Sequence, residues 1–362
     1  MKPMKTGVIG SGAISGIYLQ NMIHRFPGLE VVGVCSANPE HAKKKAEEYG
    51  IPWCTVEEMM KNPEVEMVVI LTPVGTHAGL IRQALENGKH VYTEKTITDS
   101  PETARELLRL ADEKGLYLGS APDTFLGSAL QTARKALDDG ILGEVHSFAI
   151  SATRCNDLLL SMFSFLRQPG CGILYDYAVY YVTALVSLLG PVKKVGSVIS
   201  APYPTHRGII PGREDFGKTF STPNESQVSA ILQMESGVTG TMHIDADTVS
   251  SDEAYFTIYG TDGMLKLTDP NQFGGDVLFY PTVRDGWEPL KAQVLPPVSD
   301  LSDNCRGIGP QEMAEAIRAG VPNRAGKEMA YHVLEVLTGL LESGAGCFTE
   351  ISSTCPRPEP MK

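Results

Sequence analysis

The segment from Gly10 to Ser15 is the feature that most constrains how this chain folds. An apolar run at residues 6–9 precedes it, and a helix-like stretch begins at Ile17. A strand, a tight glycine turn and a helix, in that order, form the local structure that binds the pyrophosphate of a dinucleotide. The flanking elements carry the prediction, because a glycine pattern without them is weak support for such a site.

Two glycines give this turn its shape. Gly10 and Gly12 lack a Cβ, so the backbone can bend sharply and approach a phosphate closely. Ser15 takes the place of a third glycine and is small enough for a helix to pack against a strand, and Gly16 follows it. The phosphate charge is then expected at the amide groups of the helix N-terminus. The turn residues predicted to bind the cofactor are Gly10, Gly12, Ala13 and Ile14.

Up to about residue 120, short apolar runs alternate with helical patterns, which indicates parallel strands joined by crossover helices. The predicted strands are residues 6–9, 30–35, 67–71, 90–93 and 116–119. Helix punctuation agrees, since Asn87-Gly88 and Gly115 end helices and Ser100-Pro101 begins one. We therefore predict an α/β domain over residues 1–121, with the doubly wound parallel sheet of a Rossmann fold.

The pattern changes after residue 121. Longer alternating runs suit an antiparallel sheet, and Glu235-Ser236-Gly237 and Thr261-Asp262-Gly263 are hairpin turns. The proline- and glycine-rich residues 201–224 are too long for a simple connector, so they form a loop over a site or a subunit contact. Residues 122–362 are predicted to form an α+β domain with an open-faced antiparallel sheet, which binds substrate and mediates oligomerisation. Its predicted strands are residues 145–152, 193–199, 227–234, 238–244, 254–259 and 264–267.

Charge and composition exclude several classes of protein. The formal net charge is -12, without a basic cluster outside short helical stretches, which argues against binding nucleic acid or an anionic membrane. No apolar run approaches the roughly 18 residues of a membrane span, so we expect a cytoplasmic protein. The seven cysteines are scattered without a Cys-x-x-Cys pair, which disfavours a disulfide framework and a zinc site and suits a reducing compartment. No metal site is expected.

The end of the second strand bears on which dinucleotide is bound. An acidic residue there holds the ribose 2′-hydroxyl of NAD, whereas this strand ends in Cys35-Ser36-Ala37-Asn38. No carboxylate in that run repels a 2′-phosphate, and Ser36 and Asn38 can donate hydrogen bonds to one. NADP is therefore favoured, although NAD stays open because no arginine accompanies these residues.

Polar residues also follow the third and fourth strands. Thr72-Pro73 ends the third, with His77 beyond it, and Glu94-Lys95 ends the fourth. Strand carboxyl ends line the ligand crevice of an open parallel sheet, so these residues are predicted to converge near the nicotinamide half of the cofactor. A lysine there can polarise a hydroxyl or carbonyl oxygen during hydride transfer.

The glycine turn, Thr72-Pro73 with His77, and the segment Lys89-His90-Val91-Tyr92-Thr93-Glu94-Lys95 together resemble the Gfo/Idh/MocA family of glucose-fructose oxidoreductase, inositol dehydrogenase and their relatives. The resemblance covers nearly the whole chain. It implies an N-terminal Rossmann domain, an open antiparallel sheet domain and hydride transfer without a metal. The family's Glu-Lys-Pro signature is Glu94-Lys95-Thr96 here, and the loss of proline bears on the local backbone geometry.

A second family motif is only partly kept. Residues 170–176 resemble its glycine-rich approach to an aspartate, here Asp176, but Tyr180 stands where the family has a histidine. On a helix Asp176 and Tyr180 share a face. A phenol ionises near pH 10 and is a poor base, yet a nearby Lys95 ammonium would lower its pKa. We expect Tyr180 as acid/base, Lys95 polarising the same oxygen and Asp176 binding a substrate hydroxyl. Alternatively, the tyrosines of this segment only pack in the core.

Three further residues are candidates, two of them with two interpretations each. Asp123, at the join between the predicted domains, is expected near the nicotinamide, as a polar residue is in family members. His243 is a substitute base or an ordinary sheet histidine. Arg167 binds an anionic group or lies on the surface.

Together these features predict an NADP- or NAD-dependent oxidoreductase acting on a secondary alcohol of a sugar, glycoside or cyclitol. A non-catalytic, nucleotide-dependent sensor of the same fold is the alternative. A trans-dihydrodiol dehydrogenase or a biliverdin reductase-like activity is a third hypothesis. The sequence identifies neither the substrate nor the reaction direction. Because an open sheet leaves one face to cover, we expect a homodimer or homotetramer.

Overall fold

A computed structural model of the chain describes residues 2–249, 254–282, 291–343 and 347–361. The chain divides into two compact units. The first unit contains Met1–Leu126 and Asn304–Leu334, and the second contains Gly127–Asp303 and Glu335–Lys362. Each unit is built around its own sheet.

The first unit contains the predicted parallel sheet. Its five strands lie in the order β2-β1-β3-β4-β5, and all are paired in parallel. The order reverses direction at β1, as a doubly wound sheet requires. The strands are β1 Met4–Ile9, β2 Leu29–Cys35, β3 Met67–Ile70, β4 His90–Thr93 and β5 Leu118–Ser120. The crossover helices are α1 Ser15–His24, α2 Pro39–Tyr49, α3 Val56–Lys61, α4 His77–Glu86 and α5 Pro101–Lys114.

Local sequence signals set these boundaries. Ser100 caps the start of helix α5, since its hydroxyl accepts from the Thr103 amide, and Pro101 lies in the first turn. It ends at Gly115 in the left-handed conformation, φ 64°. Strands β3 and β4 are buried almost throughout, which agrees with a parallel sheet covered on both faces.

Residues 304–334 return to the first unit, whereas the predicted boundary placed everything after residue 121 in the second domain. The returning segment contains helix α9, Ile308–Ala319. Its Gln311 side chain accepts from the Gly28 amide next to β2, and Asn21 of α1 donates to the carbonyls of Asn304 and Arg306. These contacts join residues about 280 positions apart, so no local sequence pattern predicts them.

The second unit holds a nine-stranded sheet in the order β15-β14-β13-β12-β6-β11-β10-β7-β16. Its pairs are antiparallel except β6 with β11, which run parallel. The long connection between β6 and β11 permits this arrangement, because parallel neighbours need a crossover. The strands are β6 Val145–Thr153, β7 Val192–Ser200, β10 Gln227–Met234, β11 Thr239–Asp245, β12 Tyr255–Gly260, β13 Gly263–Leu267, β14 Leu278–Pro281, β15 Gln293–Val294 and β16 Phe348–Glu350. The helices are α6 Ser128–Asp138, α7 Asn156–Met162 and α8 Val179–Leu189. Helix α10 spans Lys327–Ser343, and its part from Glu335 onward also belongs to this unit.

The segment at residues 201–224 carries a short strand pair of its own, β8 Thr205–Arg207 with β9 Thr219–Ser221. Among the described residues, no helix combines the length and apolar character needed to cross a lipid bilayer.

Candidate active site

The turn between β1 and α1 depends on its two glycines. Gly10 has φ 118°, and a Cβ there would lie 2.7 Å from the Leu71 carbonyl oxygen, so only glycine fits. A Cβ on Gly12 would meet no atom of the described residues within 4 Å, so this side of the turn has space for a ligand. Ser15 is fully buried, and its hydroxyl donates to the Gly12 carbonyl at 2.7 Å, closing the turn at the start of α1.

The order of the strands determines which residues lie next to one another along the crevice. Adjacent strands lie ~4.8 Å apart, so the carboxyl ends of β2, β1, β3 and β4 form one continuous edge. The glycine turn after β1 stands between Ser36 after β2 and Thr72 after β3, with Glu94 beyond. An adenosine at β2, a pyrophosphate at β1 and a nicotinamide toward β4 fit this order.

At the end of β2, Ser36 is partly exposed and Asn38 exposed. Asn38 Oδ1 accepts from the Glu40 amide at 3.0 Å and so caps α2. The cofactor argument from sequence did not include Glu40 and Lys43 in the first turns of α2, whose side chains form an ion pair at 2.8 Å. Lys43 Nζ also lies 4.9 Å from the centre of the Trp53 ring.

His77 holds the ends of two strands together. Its ring nitrogens lie 2.8 Å from the carbonyl oxygens of Thr72 and Thr96, and the side chain is fully buried. Burial lowers the pKa of His77, while the hydrogen bonds to the two carbonyls oppose this effect. His77 thus shapes the crevice through Thr72-Pro73 and the segment after β4.

Glu94 and Lys95 follow β4 and are both partly exposed. The peptide bond between Lys95 and Thr96 is cis. Glu94 Oε1 accepts from the Tyr18 hydroxyl at 2.7 Å, and its Oε2 accepts from the Lys95 amide at 3.1 Å. Sequence reasoning missed Tyr18, because a tyrosine on an apolar helix face gives no signal of such a partner.

Asp123 follows β5 and is almost completely buried. Its Oδ2 accepts from the Gly309 amide in the first turn of α9 at 3.0 Å, a favourable place for a negative charge. Burial nevertheless raises the pKa of Asp123 to about 6, against the opposing effects of that amide and of Arg306. Its carboxylate is therefore used, at least in part, to hold α9.

Asp176 and Tyr180 belong to the second unit. Asp176 lies in a π-helical turn, Leu174–Ala178, that leads into α8, and such turns are frequent at functional sites. Tyr177 and Tyr181 have ring centres 5.2 Å apart, so residues four apart share a face here. Asp176 and Tyr180 precede this pair by one residue each and share a neighbouring face. Asp176 is partly exposed, whereas Tyr180 is 9% exposed.

The other two tyrosines belong to a separate network. The hydroxyls of Tyr177 and Tyr181 donate to the Asp269 carboxylate at 2.9 and 3.3 Å, and Arg154 pairs with the same carboxylate at 3.2 Å. Arg154 also stacks on the Tyr177 ring at 3.9 Å. Burial and the charge of Asp269 raise the pKa of both phenols, so they remain neutral donors. The packing interpretation therefore fits Tyr177 and Tyr181.

Two other candidates have partners of their own. Arg167 pairs with Asp215 and stacks on the Phe220 ring at 3.7 Å. His243 Nδ1 lies 2.8 Å from the Ser229 hydroxyl on the sheet. Within the described ranges, no group of three or more His, Cys, Asp or Glu side chains is placed to hold a metal ion.

Family models match both halves of the chain. The oxidoreductase family model for an NAD-binding Rossmann fold matches residues 4–121, and the GFO/IDH/MocA C-terminal domain model matches residues 130–266. The chain belongs to the Gfo/Idh/MocA oxidoreductase family. The expected Rossmann domain and mostly antiparallel sheet domain are thereby confirmed.

Sequence relatives in this family include both uncharacterised and named enzymes. An uncharacterised oxidoreductase of Schizosaccharomyces pombe is 29% identical over 195 residues, 52% of this chain and 53% of its own length. The scyllo-inositol 2-dehydrogenase (NADP(+)) of Bacillus subtilis is 23% identical over 198 residues, 55% of each chain. The chain thus spans about half the length of the curated relatives it matches.

Solved structures agree over almost the full length. Levoglucosan dehydrogenase in complex with NADH and L-sorbose has a TM-score of 0.82 at 19% identity, covering 97% of this chain and 99% of that one. At this identity the likeness establishes the fold.

Proposed function

We propose that this member of the Gfo/Idh/MocA family is an NAD(P)-dependent enzyme that transfers a hydride between the nicotinamide and a secondary alcohol or ketone carbon of a sugar, glycoside or cyclitol. The observation that carries the proposal is the open space beside Gly12 in the glycine turn. This turn lies on the same edge of the sheet as Lys95. The inositol and levoglucosan dehydrogenases among the similar proteins support this substrate class.

The nicotinamide, when bound, supplies or accepts the hydride. In the direction of ketone reduction, the Lys95 ammonium donates a hydrogen bond to the carbonyl oxygen, and the Tyr180 phenol gives that oxygen its proton. Oxidation of the alcohol reverses the hydride transfer and the proton transfer. Asp176 accepts a hydrogen bond from a neighbouring substrate hydroxyl and orients the ring. Lys95 belongs to the first unit and Asp176 with Tyr180 to the second, so their joint action is part of the proposal.

NADP is the proposed cofactor. Ser36 and the side-chain N–H groups of Asn38 can donate to a 2′-phosphate, because only Oδ1 of Asn38 is used in capping α2. Lys43, one turn into α2, adds a cation that the sequence argument lacked, although Glu40 partly neutralises it.

A panel assay tests the activity. The protein is incubated with NADP⁺ or NAD⁺ and with cyclitols, aldoses, anhydrosugars and an aromatic dihydrodiol, and cofactor reduction is followed by absorbance. Reduction with a polyol is the expected result. Reduction with the dihydrodiol alone would overturn the substrate class, and binding without turnover in either direction would favour the sensor.

A further inference from the structure

Tyr18 is placed to act on the proposed site without touching a ligand. It lies on α1, three residues after Ser15, the residue that closes the glycine turn. Its side chain is 0% exposed, so it cannot reach a molecule in the crevice. Its hydroxyl nevertheless donates to Glu94 Oε1 at 2.7 Å, across 76 positions of the chain.

The Glu94 carboxylate is hydrogen-bonded to Lys95 as well as to Tyr18. Its second oxygen accepts from the Lys95 backbone amide at 3.1 Å, so the carboxylate is held at both oxygens. Hydrogen bonds to a charged acceptor are about twice as strong as those between neutral groups. The helix that starts at the glycine turn is thereby connected to the strand end that carries Lys95.

We propose that Tyr18 is a positioning residue: through Glu94 it fixes the part of the crevice that receives the nicotinamide, while the adenosine part is independent of it. This inference rests on the proposed function. It follows from the strand order, since Glu94 stands two strands beyond β1 on the side away from Ser36. Burial raises the pKa of Tyr18 well above its ordinary value, so the phenol is a permanent donor.

Tyr92 provides a matched control. It lies on β4, two residues before Glu94, and is also 0% exposed. Its hydroxyl has no hydrogen-bond partner among the residues that the structure describes. Tyr92→Phe therefore removes the same atom from the same buried region without breaking a hydrogen bond, whereas Tyr18→Phe breaks the bond to Glu94.

The test compares two kinds of ligand by fluorescence titration of the full chain. NADPH and NADH carry the nicotinamide, whereas ADP-ribose and its 2′-phosphate lack it. Tyr18→Phe is expected to raise the Kd of the reduced dinucleotide about tenfold and to change the emission of the bound nicotinamide. The Kd of ADP-ribose or its 2′-phosphate should stay within about twofold, which also shows that the variant is folded, and Tyr92→Phe should change neither Kd.

A double-mutant cycle tests whether Tyr18 acts through Glu94. Glu94→Ala removes the acceptor of the Tyr18 hydroxyl and is expected to weaken NAD(P)H binding by itself. Adding Tyr18→Phe should then cost little more, because the hydrogen bond that it breaks is already lost. Additive effects would overturn the proposal that Tyr18 acts through Glu94.

The remaining outcomes separate the two proposals. If Tyr18→Phe behaves like Tyr92→Phe, or weakens ADP-ribose as much as NAD(P)H, the positioning role is wrong while the proposed function stands. If the wild-type protein binds no NAD(P)H, the proposed function is overturned and the positioning role with it.

Discussion

Tyr180 is the residue on which the proposed chemistry depends most. The structure separates it from its neighbours: Tyr177 and Tyr181 bind Asp269, whereas Asp176 and Tyr180 share another face of the same segment. The sequence could predict the shared face from helical spacing. It could not predict which tyrosines pack, because that depends on Asp269, almost 90 positions away.

Tyr180→Phe is expected to lower kcat at least about 100-fold, the usual effect of losing a general acid, with the Kd of the dinucleotide unchanged. Tyr181→Phe is the control: it loses a hydrogen bond to Asp269, should lower the free energy of unfolding by about 1 kcal/mol, and should leave kcat within about threefold. Steady-state kinetics and urea unfolding provide both readouts. Equal turnover by the Tyr180→Phe variant and the wild type would refute the acid/base role.

Ser36, after β2, is expected to select between NADP and NAD. Ser36→Asp places a carboxylate where a 2′-phosphate would lie, and like-charge repulsion with loss of a donor should weaken NADPH binding at least about tenfold. NADH binding should hold or improve, since the new carboxylate can accept from the ribose 2′-hydroxyl. Fluorescence titrations with both cofactors measure the ratio. An unchanged ratio of Kd values would show that Ser36 does not select the cofactor.

Among the secondary-structure elements, α9 shows most clearly where sequence reasoning stopped. The helical pattern of residues 310–319 is local and is enough to predict a helix there, which agrees with α9 at Ile308–Ala319. Its membership of the first unit depends on contacts from Gln311 and Gly309 to residues far earlier in the chain. The hairpin at Gly237 was predictable, since φ 92° requires glycine there and the residues are local. The parallel pairing of β6 with β11 was not, because it depends on the path of the intervening chain.

The Asp123 contact with α9 makes a pH-dependent prediction. The pKa of Asp123 is about 6 in the folded chain against an ordinary 3.8, so the folded state binds more protons between these values. Its favourable contribution to folding is therefore present below about pH 4 and lost as the pH rises through about 6. Asp123→Asn keeps an acceptor for the Gly309 amide without the buried charge. The free energy of unfolding of the variant relative to wild type should increase by about 2 kcal/mol between pH 4 and 7.

Urea unfolding of both proteins at the two pH values measures this difference, in which the other titrating groups cancel. Asp123→Ala removes the acceptor as well, so it should lower the free energy of unfolding relative to Asp123→Asn at both pH values. A difference between Asp123→Asn and wild type that does not change with pH would contradict a raised pKa.

For the whole molecule, the second unit's sheet has an exposed apolar face. Val198, Ile231 and Phe348 are 66%, 51% and 59% exposed. Ile231 and Phe348 are both paired with Gly196, two residues before Val198, so the three lie on one face. Apolar side chains clustered on one face favour an interface between subunits. We propose that this face pairs copies of the chain into a homodimer or homotetramer.

Ile231→Glu should dissociate that assembly, because a carboxylate buried at the interface would be desolvated without a partner. Val249→Glu is the control, since Val249 is 98% exposed and lies outside the sheet. Light scattering should give a dimer or tetramer for wild type and Val249→Glu and a smaller mass for Ile231→Glu. A monomeric wild-type protein, or an Ile231→Glu variant of unchanged mass, would refute this interface.

The rate of NADP⁺ or NAD⁺ reduction by a polyol, compared between wild type and Lys95→Met, tests the proposed hydride transfer most directly. Lys95→Met keeps the length of the side chain and removes the ammonium. We predict that at least one sugar or cyclitol supports reduction by the wild type, and that the variant loses about 1000-fold in kcat while still binding the dinucleotide. Equal rates for the two proteins would contradict the role of Lys95, and a wild type that binds dinucleotide but neither oxidises a polyol nor reduces the corresponding ketone would contradict the proposed activity.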